Sequence, residues 1–265
     1  MTSKTDCKMS GFDVCNLNVR LGGRPVLNEI TFSAQRGALV ALVGPSGAGK
    51  TTLLRALAGL IPSEGALAAG GQDVRGLSVA QRARRFAYVP QDDSVHWPLS
   101  VEDVVALGRY PHGATRPDRL SDRDLDAVDR ALDAVGLTAM AERPVTELSG
   151  GERRRVAVAR ALATEAPVLF ADEPTASVDP HYQLSIMTLL RRQARQGALV
   201  FVVTHDLGAA ARFADRVLML RGGRLEQEGA PRDVLAPAHL AEVFAIDAFR
   251  CDHASEPVIV PWAAR

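Results

Sequence analysis

"GPSGAGKTT", Gly44 to Thr52, stands between the apolar run "ALVALV" (38–43) and the helix-like "KTTLLRALAGL" (50–60). Gly44 to Thr51 matches GxxxxGK[ST], the pattern of a strand that ends in a glycine-rich loop and restarts as a helix. In such a loop successive amides and the helix N-terminus close around phosphate oxygens, a lysine neutralises the outer ones, and a hydroxyl reaches the accompanying cation. The candidate phosphate-binding set is therefore Gly44, Pro45, Ser46, Gly47, Ala48, Gly49, Lys50, Thr51 and Thr52, with Thr51 also a candidate Mg²⁺ ligand. Lysine is otherwise confined to Lys4 and Lys8, and arginine carries the remaining positive charge. A forked guanidinium cannot take the place of a compact ammonium between phosphate oxygens, so the survival of this one lysine fits a steric demand.

Outward from the loop, short apolar runs recur beside glycines or helical patterns: "FAYVP" (86–90), "VLFAD" (168–172) and "ALVFVVTH" (198–205). Such runs read as strands covered on both faces, hence a mainly parallel sheet in an α/β core. "FDVCNLNVRLGGRPVLNEITFSA" (12–34) alternates around Gly22–Gly23 and predicts an antiparallel β subdomain, and "RVLMLRGGRLEQEG" (216–229) repeats the hairpin at Gly222–Gly223. Between the second and third core strands the texture changes. "SDRDLDAVDRALDAVGL" (121–137) offers Ser121 and Asp124 as a start signal, Leu125, Val128, Leu132 and Val135 at helical spacing, and Gly136 as a stop. The region from about 92 to 160 is expected to be an inserted helical subdomain, its aspartates a solvated face rather than a metal cluster.

The run "VLFADEP" ends a strand in two carboxylates. Asp172 at its tip is placed to hold Mg²⁺, and Glu173 to orient or deprotonate an attacking water. His205, closing "VVTH", can reach a terminal phosphate as a donor. A second anion-gripping stretch is "LSGGE" (148–152), whose Ser149, Gly150 and Gly151 precede another helix. Either the chain binds two ligands, or one loop serves another molecule's.

Composition narrows the classes. Basic and acidic residues balance at 31 each, so no global field draws the protein to nucleic acid or anionic lipid. No stretch approaches the roughly 18 continuous apolar residues of a membrane span, and "MTSKTDCKMS" lacks the apolar core of a signal peptide, which predicts a cytosolic chain. Cys7, Cys15 and Cys251 have neither metal-site spacing nor a histidine cluster beside them, and read as free thiols.

With Gln91 in "YVPQ", "LSGGE" followed by "RRRVAVARALA", "DEPT" (172–175), Asp179 and His205, the order of elements resembles the nucleotide-binding subunits of ATP-binding-cassette (ABC) transporters across residues 11–250. The resemblance implies a single ABC ATPase domain over 11–250, a P-loop NTPase core of α/β class, and a C-terminal tail at 251–265. It implies ATP and Mg²⁺ as cofactors, Gln91 as a Q-loop residue serving catalysis and metal, Asp179 in the D-loop and His205 as the switch histidine. It also answers the question of the two loops. In this family two subunits pack head to tail, and each ATP lies between one P-loop and the partner's signature, here Ser149, Gly150 and Gly151. The remaining implied partners are an integral-membrane permease and, indirectly, a secreted substrate-binding protein, with the chain peripheral on the inner face of the membrane and no nucleic acid involved.

Two departures stand out. Leu21 falls where the family often has an aromatic side chain on adenine, so the base is expected to rest on apolar contact; the D-loop reads "ASVD", which keeps Asp179 but alters its neighbours. "LSVEDVVALGRYPH" and "HDLGAAARFADRVLMLRGGRLEQEGAPRDVL" resemble the subunits that energise uptake of iron-siderophore, haem or cobalamin. Trp97, His96 and His112 are expected to meet a permease or to pack, not to hold haem, since the cargo never enters the ATPase. An exporter subunit is the alternative within the family, and a soluble ABC clamp the alternative outside transport, although the latter needs heptad runs that are not present.

Overall fold

The computed structural model describes residues 11–92, 97–114, 120–254 and 256–265; Lys4, Cys7, Lys8 and His96 lie outside them. In chain order the elements are β1 (Gly11–Leu21), β2 (Arg24–Gln35), β3 (Leu39–Val43), α1 (Lys50–Leu57), β4 (Glu64–Ala69), β5 (Gln72–Asp73), α2 (Val79–Arg85), β6 (Phe86–Val89), α3 (Val101–Ala106), α4 (Asp122–Ala134) and α5 (Gly150–Ala163). There follow β7 (Val168–Asp172), α6 (Pro180–Arg195), β8 (Leu199–Val203), α7 (Leu207–Phe213), β9 (Arg216–Arg221), β10 (Arg224–Gly229), α8 (Pro231–Val234), α9 (Pro237–Phe244), β11 (Ile246–His253) and β12 (Glu256–Ala264).

A six-stranded sheet in the order β10-β9-β3-β8-β7-β6 carries the core, and a four-stranded antiparallel sheet, β2-β1-β4-β5, covers one face of it. Strands β9, β3, β8, β7 and β6 run parallel, and only β10 reverses. Successive residues of a central strand face opposite layers, and here both layers are apolar: Leu39, Ala41 and Val43 point toward the helices, Val40 and Leu42 toward the antiparallel sheet. That is why β3, β7 and β8 read as unbroken apolar runs. On the antiparallel side Phe12, Phe86, Phe170 and Phe201 form one aromatic cluster, with Phe170 and Phe201 stacked at 5.4 Å.

The insertion between β6 and β7 holds α3, α4 and α5 packed together. Ser121 caps α4 by accepting the Asp124 amide, and Gly136 follows its end at φ +66°. The helical spacing put Leu125 on the apolar face, but Leu125 is exposed. The buried stripe is Ala127, Val128, Ala131 and Leu132, and the first turn is anchored instead by a salt bridge from buried Arg109 to Asp124 at 2.8 Å. Asp122, Asp126, Asp129 and Asp133 face solvent as expected, whereas Asp124 is drawn into this pair.

Strands β11 and β12 pair antiparallel; Ile259 of β12 is buried and β12 packs on α7, with an ion pair from Arg212 to Glu256. Pro257 and Pro261 are tolerated there because each strand of a two-stranded ribbon keeps one edge free.

Candidate functional site

The P-loop curls over the end of β3, and two of its glycines are required by the chain's own packing. At Gly44 a Cβ would stand 2.2 Å from the Leu220 carbonyl oxygen; at Gly49, φ +97°, it would stand 2.7 Å from Leu27. The second hairpin turn props the loop from outside, since the Gly223 amide donates to the Ala48 carbonyl and the Asn28 amide to that of Gly223. Lys50 is buried, and its ammonium donates to the carbonyls of Gly44 at 2.8 Å and Pro45 at 3.0 Å. Burial lowers its pKa, while the charges of Glu173 and Asp172 oppose that shift.

In front of the loop lies a cavity of about 430 Å³ lined by Val26, Ser46, Gly47, Gly49, Lys50, Thr51, Thr52, Gln91, Glu173 and His205. Parallel strands bring together residues far apart in sequence: Asp172 stands beside Val203 across the β7–β8 ladder, so the tips of both strands open onto one edge.

Asp172 is fully buried and held on both oxygens. Thr51 Oγ1 donates to Oδ1 at 3.0 Å, and the Tyr88 hydroxyl donates to Oδ2 at 3.2 Å. Burial raises the Asp172 pKa against these hydrogen bonds. Tyr88 is pushed up to about 12, chiefly by burial and then by the Asp172 charge, so it remains a donor throughout the physiological range. The adjacent hydroxyl and carboxylate oxygens are hard donors of the type Mg²⁺ takes, and the pair fits that ion.

Glu173, the next residue, turns sharply away at φ +50°, a conformation uncommon for a side-chain-bearing residue, and its amide donates to the Val203 carbonyl. The turn aims its carboxylate into the cavity, where His205 Nε2 lies 2.9 Å from Oε1. A carboxylate bonded to an imidazole in this cavity can orient water and move a proton.

"LSGGE" is built differently. Ser149 caps α5 in a reciprocal box: its Oγ accepts the Glu152 amide, and Glu152 Oε2 accepts the Ser149 amide at 2.7 Å. Hydrogen bonding to its carboxylate, first from the Ser149 amide and then from the Ser149 hydroxyl, holds the Glu152 pKa below its ordinary value. The spacing S-x-x-E was the available signal for this cap. Ser149 and Gly150 are exposed, none of residues 148–152 lines the P-loop cavity, and a Cβ on Gly150 would meet nothing within 4 Å. Asp179 of the "ASVD" turn is an N-cap too, accepting the amides of His181 and Tyr182 at the start of α6.

Three consecutive arginines, quoted in the sequence only as the start of the run after "LSGGE", fasten the start of α5. Arg153 donates to the Leu148 carbonyl, and Arg154 to those of Pro90 and Gln91. Arg155 donates to the carbonyls of Val135 and Gly136, and its guanidinium lies 3.8 Å from the centre of the Tyr182 ring. Elsewhere, Leu21 is exposed at the tip of the first hairpin, Trp97 is exposed, and the His112 ring bonds the Thr164 carbonyl at 2.8 Å. Cys15 and Cys251 are free thiols. Among the described residues no helix is long and apolar enough to cross a membrane.

A sequence profile of the ABC transporter family matches residues 27–176. The hemin import ATP-binding protein HmuV of Streptomyces coelicolor is 46% identical over 229 residues, 86% of this chain and 81% of that protein. The cobalamin import ATP-binding protein BtuD of Halobacterium salinarum is likewise 46% identical, over 88% of this chain, which spans only 58% of that longer relative. Among solved structures, a chain of an inward-facing ABC transporter described as of the metal-chelate type superposes with a TM-score of 0.81 at 27% identity, covering 96% of this chain and 98% of that one.

Proposed function

The chain belongs to the ABC transporter family, and from that premise we propose that it is the ATP-hydrolysing subunit of an importer, working as a head-to-tail pair on the cytoplasmic face of a membrane permease and driving uptake of a metal chelate. The observation that carries this reading is the contrast between the two loops. At Gly44 and Gly49 of the P-loop a side chain would meet the chain's own atoms, whereas at Gly150 it would meet none within 4 Å, so the bareness of Gly150 leaves room for a group arriving from another molecule.

In this mechanism Lys50 exchanges its two carbonyl partners for the β- and γ-phosphate oxygens of ATP, and the loop amides hold the same oxygens. Thr51 and Asp172, with Gln91, would hold Mg²⁺, which when bound neutralises charge on those oxygens. Glu173 takes the proton of the water that attacks the γ-phosphorus, the bond to the ADP oxygen breaks, and His205 steadies Glu173 and donates toward the departing phosphate. Ser149 and the Gly150 and Gly151 amides of a second copy close over the γ-phosphate, with Asp179 at the seam, so the pair shuts with ATP and opens after hydrolysis. The names of the relatives support haem or cobalamin as the cargo class, with ferric siderophore the third member.

The test is uptake of labelled haem, cobalamin and ferric siderophore by cells lacking the chain and complemented with wild type or Glu173→Gln. Loss of one uptake with Glu173→Gln identifies the cargo; unchanged uptake of all three overturns the import reading.

A further inference from the structure

Arg154 is 5% exposed, and its guanidinium reaches back across the molecule to two successive carbonyls: Nη1 lies 2.6 Å from the oxygen of Pro90, and Nη2 2.5 Å from that of Gln91. The two ends of this contact belong to different parts of the fold. Pro90–Gln91 leaves β6 of the core, and the Gln91 side chain lines the phosphate cavity. Arg154 stands on the first turns of α5, shortly after Ser149, in the helical insertion. A planar fork on two adjacent acceptors fixes distance and angle together, where a single bond would leave a swivel. Separating the pieces would break two charge-assisted hydrogen bonds of a buried guanidinium, so moving them as one body costs less.

We propose that Arg154 is a positioning residue through which the contents of the chain's own phosphate cavity set the placement of Ser149–Gly151, the loop offered to the second copy. This rests on the reading of the cavity as an ATP site. When a triphosphate draws Gln91 inward, the Pro90 and Gln91 carbonyls shift with it, and the fork carries the start of α5 along. Arg153, donating to the Leu148 carbonyl, makes the loop and the helix a single unit, so the displacement reaches the loop undiminished. Arg155 on Tyr182 joins the same turns to α6, whose first residues are capped by Asp179, and supplies the pivot. Each chain thereby presents its open loop in register only when its own closed loop is filled.

The experiment is hydrogen exchange read by mass spectrometry on wild type, Arg154→Met and Arg154→Lys, with and without Mg²⁺ and a non-hydrolysable ATP analogue, at dilution where light scattering shows only monomer. In wild type the analogue slows exchange in peptides spanning 44–52 and also changes it in peptides spanning 145–158. In Arg154→Met the first response persists and the second is lost. Arg154→Lys, which keeps the charge but reaches one carbonyl, weakens the second response, and this variant carries the test if Arg154→Met melts early. A response at 145–158 that is unaltered in both variants, or absent from wild type despite protection at 44–52, overturns the role of Arg154 alone. No protection at 44–52 in wild type overturns the ATP-site reading together with it.

Discussion

The two glycine-rich loops, Gly44–Thr52 and Leu148–Glu152, differ in where their requirements originate. Around Gly44–Thr52 the main constraints are internal: backbone of β9 blocks a side chain at Gly44, Leu27 blocks one at Gly49, Lys50 is buried, and Glu173 and His205 line the cavity opposite. Around Leu148–Glu152 the internal requirements are the capping box and, at Gly151, an ordinary contact with Ser177 and Val178, while Gly150 stands bare. The comparison separates glycines that the chain's own packing requires from one that it leaves open, the position that the proposed pairing would use.

The largest effect that would sharpen this contrast is on turnover. Glu173→Gln keeps the phosphate cradle but removes the proton acceptor, and is expected to slow hydrolysis by about 10²- to 10⁴-fold with MgATP still retained. Steady-state turnover with nucleotide retention on a spin column checks this; undiminished turnover would take Glu173 out of the chemistry.

Mixing crippled subunits breaks the contrast if it is wrong. A tagged heterodimer of Lys50→Ala and Ser149→Arg chains, each also Glu173→Gln, has one doubly damaged site and one intact site only if the open loop serves the partner. It is expected to retain about one tightly held nucleotide, because the intact site keeps its full set of phosphate contacts. Retention no better than in either pure mutant means that "LSGGE" serves its own chain.

A paired alanine substitution probes the two kinds of glycine in thermal melts. Gly44→Ala is expected to lose about 1–3 kcal/mol, since backbone at Leu220 must move. Gly150→Ala, at the first position of α5 with open space around it, is expected to gain up to about 1 kcal/mol while weakening ATP-dependent pairing. A destabilised Gly150→Ala would remove the distinction.

The smallest effect concerns the base. If Leu21 occupies the adenine platform, Leu21→Tyr should tighten ATP binding by roughly 0.5–1.5 kcal/mol through stacking. Equal affinities by calorimetry would move the platform elsewhere, and Val26, which lines the cavity, is the next residue to try.

What was legible in the sequence was what depends on neighbours along the chain or on simple burial. "VLFAD" marks β7 residue for residue because both its faces are apolar, and the double-glycine turns at 22–23 and 222–223 share φ values of +54° and +78°, as tight hairpins of one geometry. The P-loop and the carboxylate pair were legible because their spacing is itself the chemistry. Partnerships across the fold were not. Nothing local distinguishes Arg154, bonded to carbonyls 63 and 64 residues away, from a solvated arginine, nor Tyr88 from any strand tyrosine, although it holds the second oxygen of Asp172. Leu125 failed in the opposite sense: its spacing was right, but the turn that carries it is anchored by charge.

The scarcity of lysine has a practical reach. Among the described residues Lys50 is the only primary amine on a side chain, and burial, by lowering its pKa, leaves more of it in the uncharged, acylatable form once a reagent gains entry. An amine-directed label therefore has a single internal target, placed where nucleotide would shield it. The mass of one peptide containing Lys50, before and after labelling, becomes a direct gauge of how full the site is, in a purified subunit or in an intact membrane.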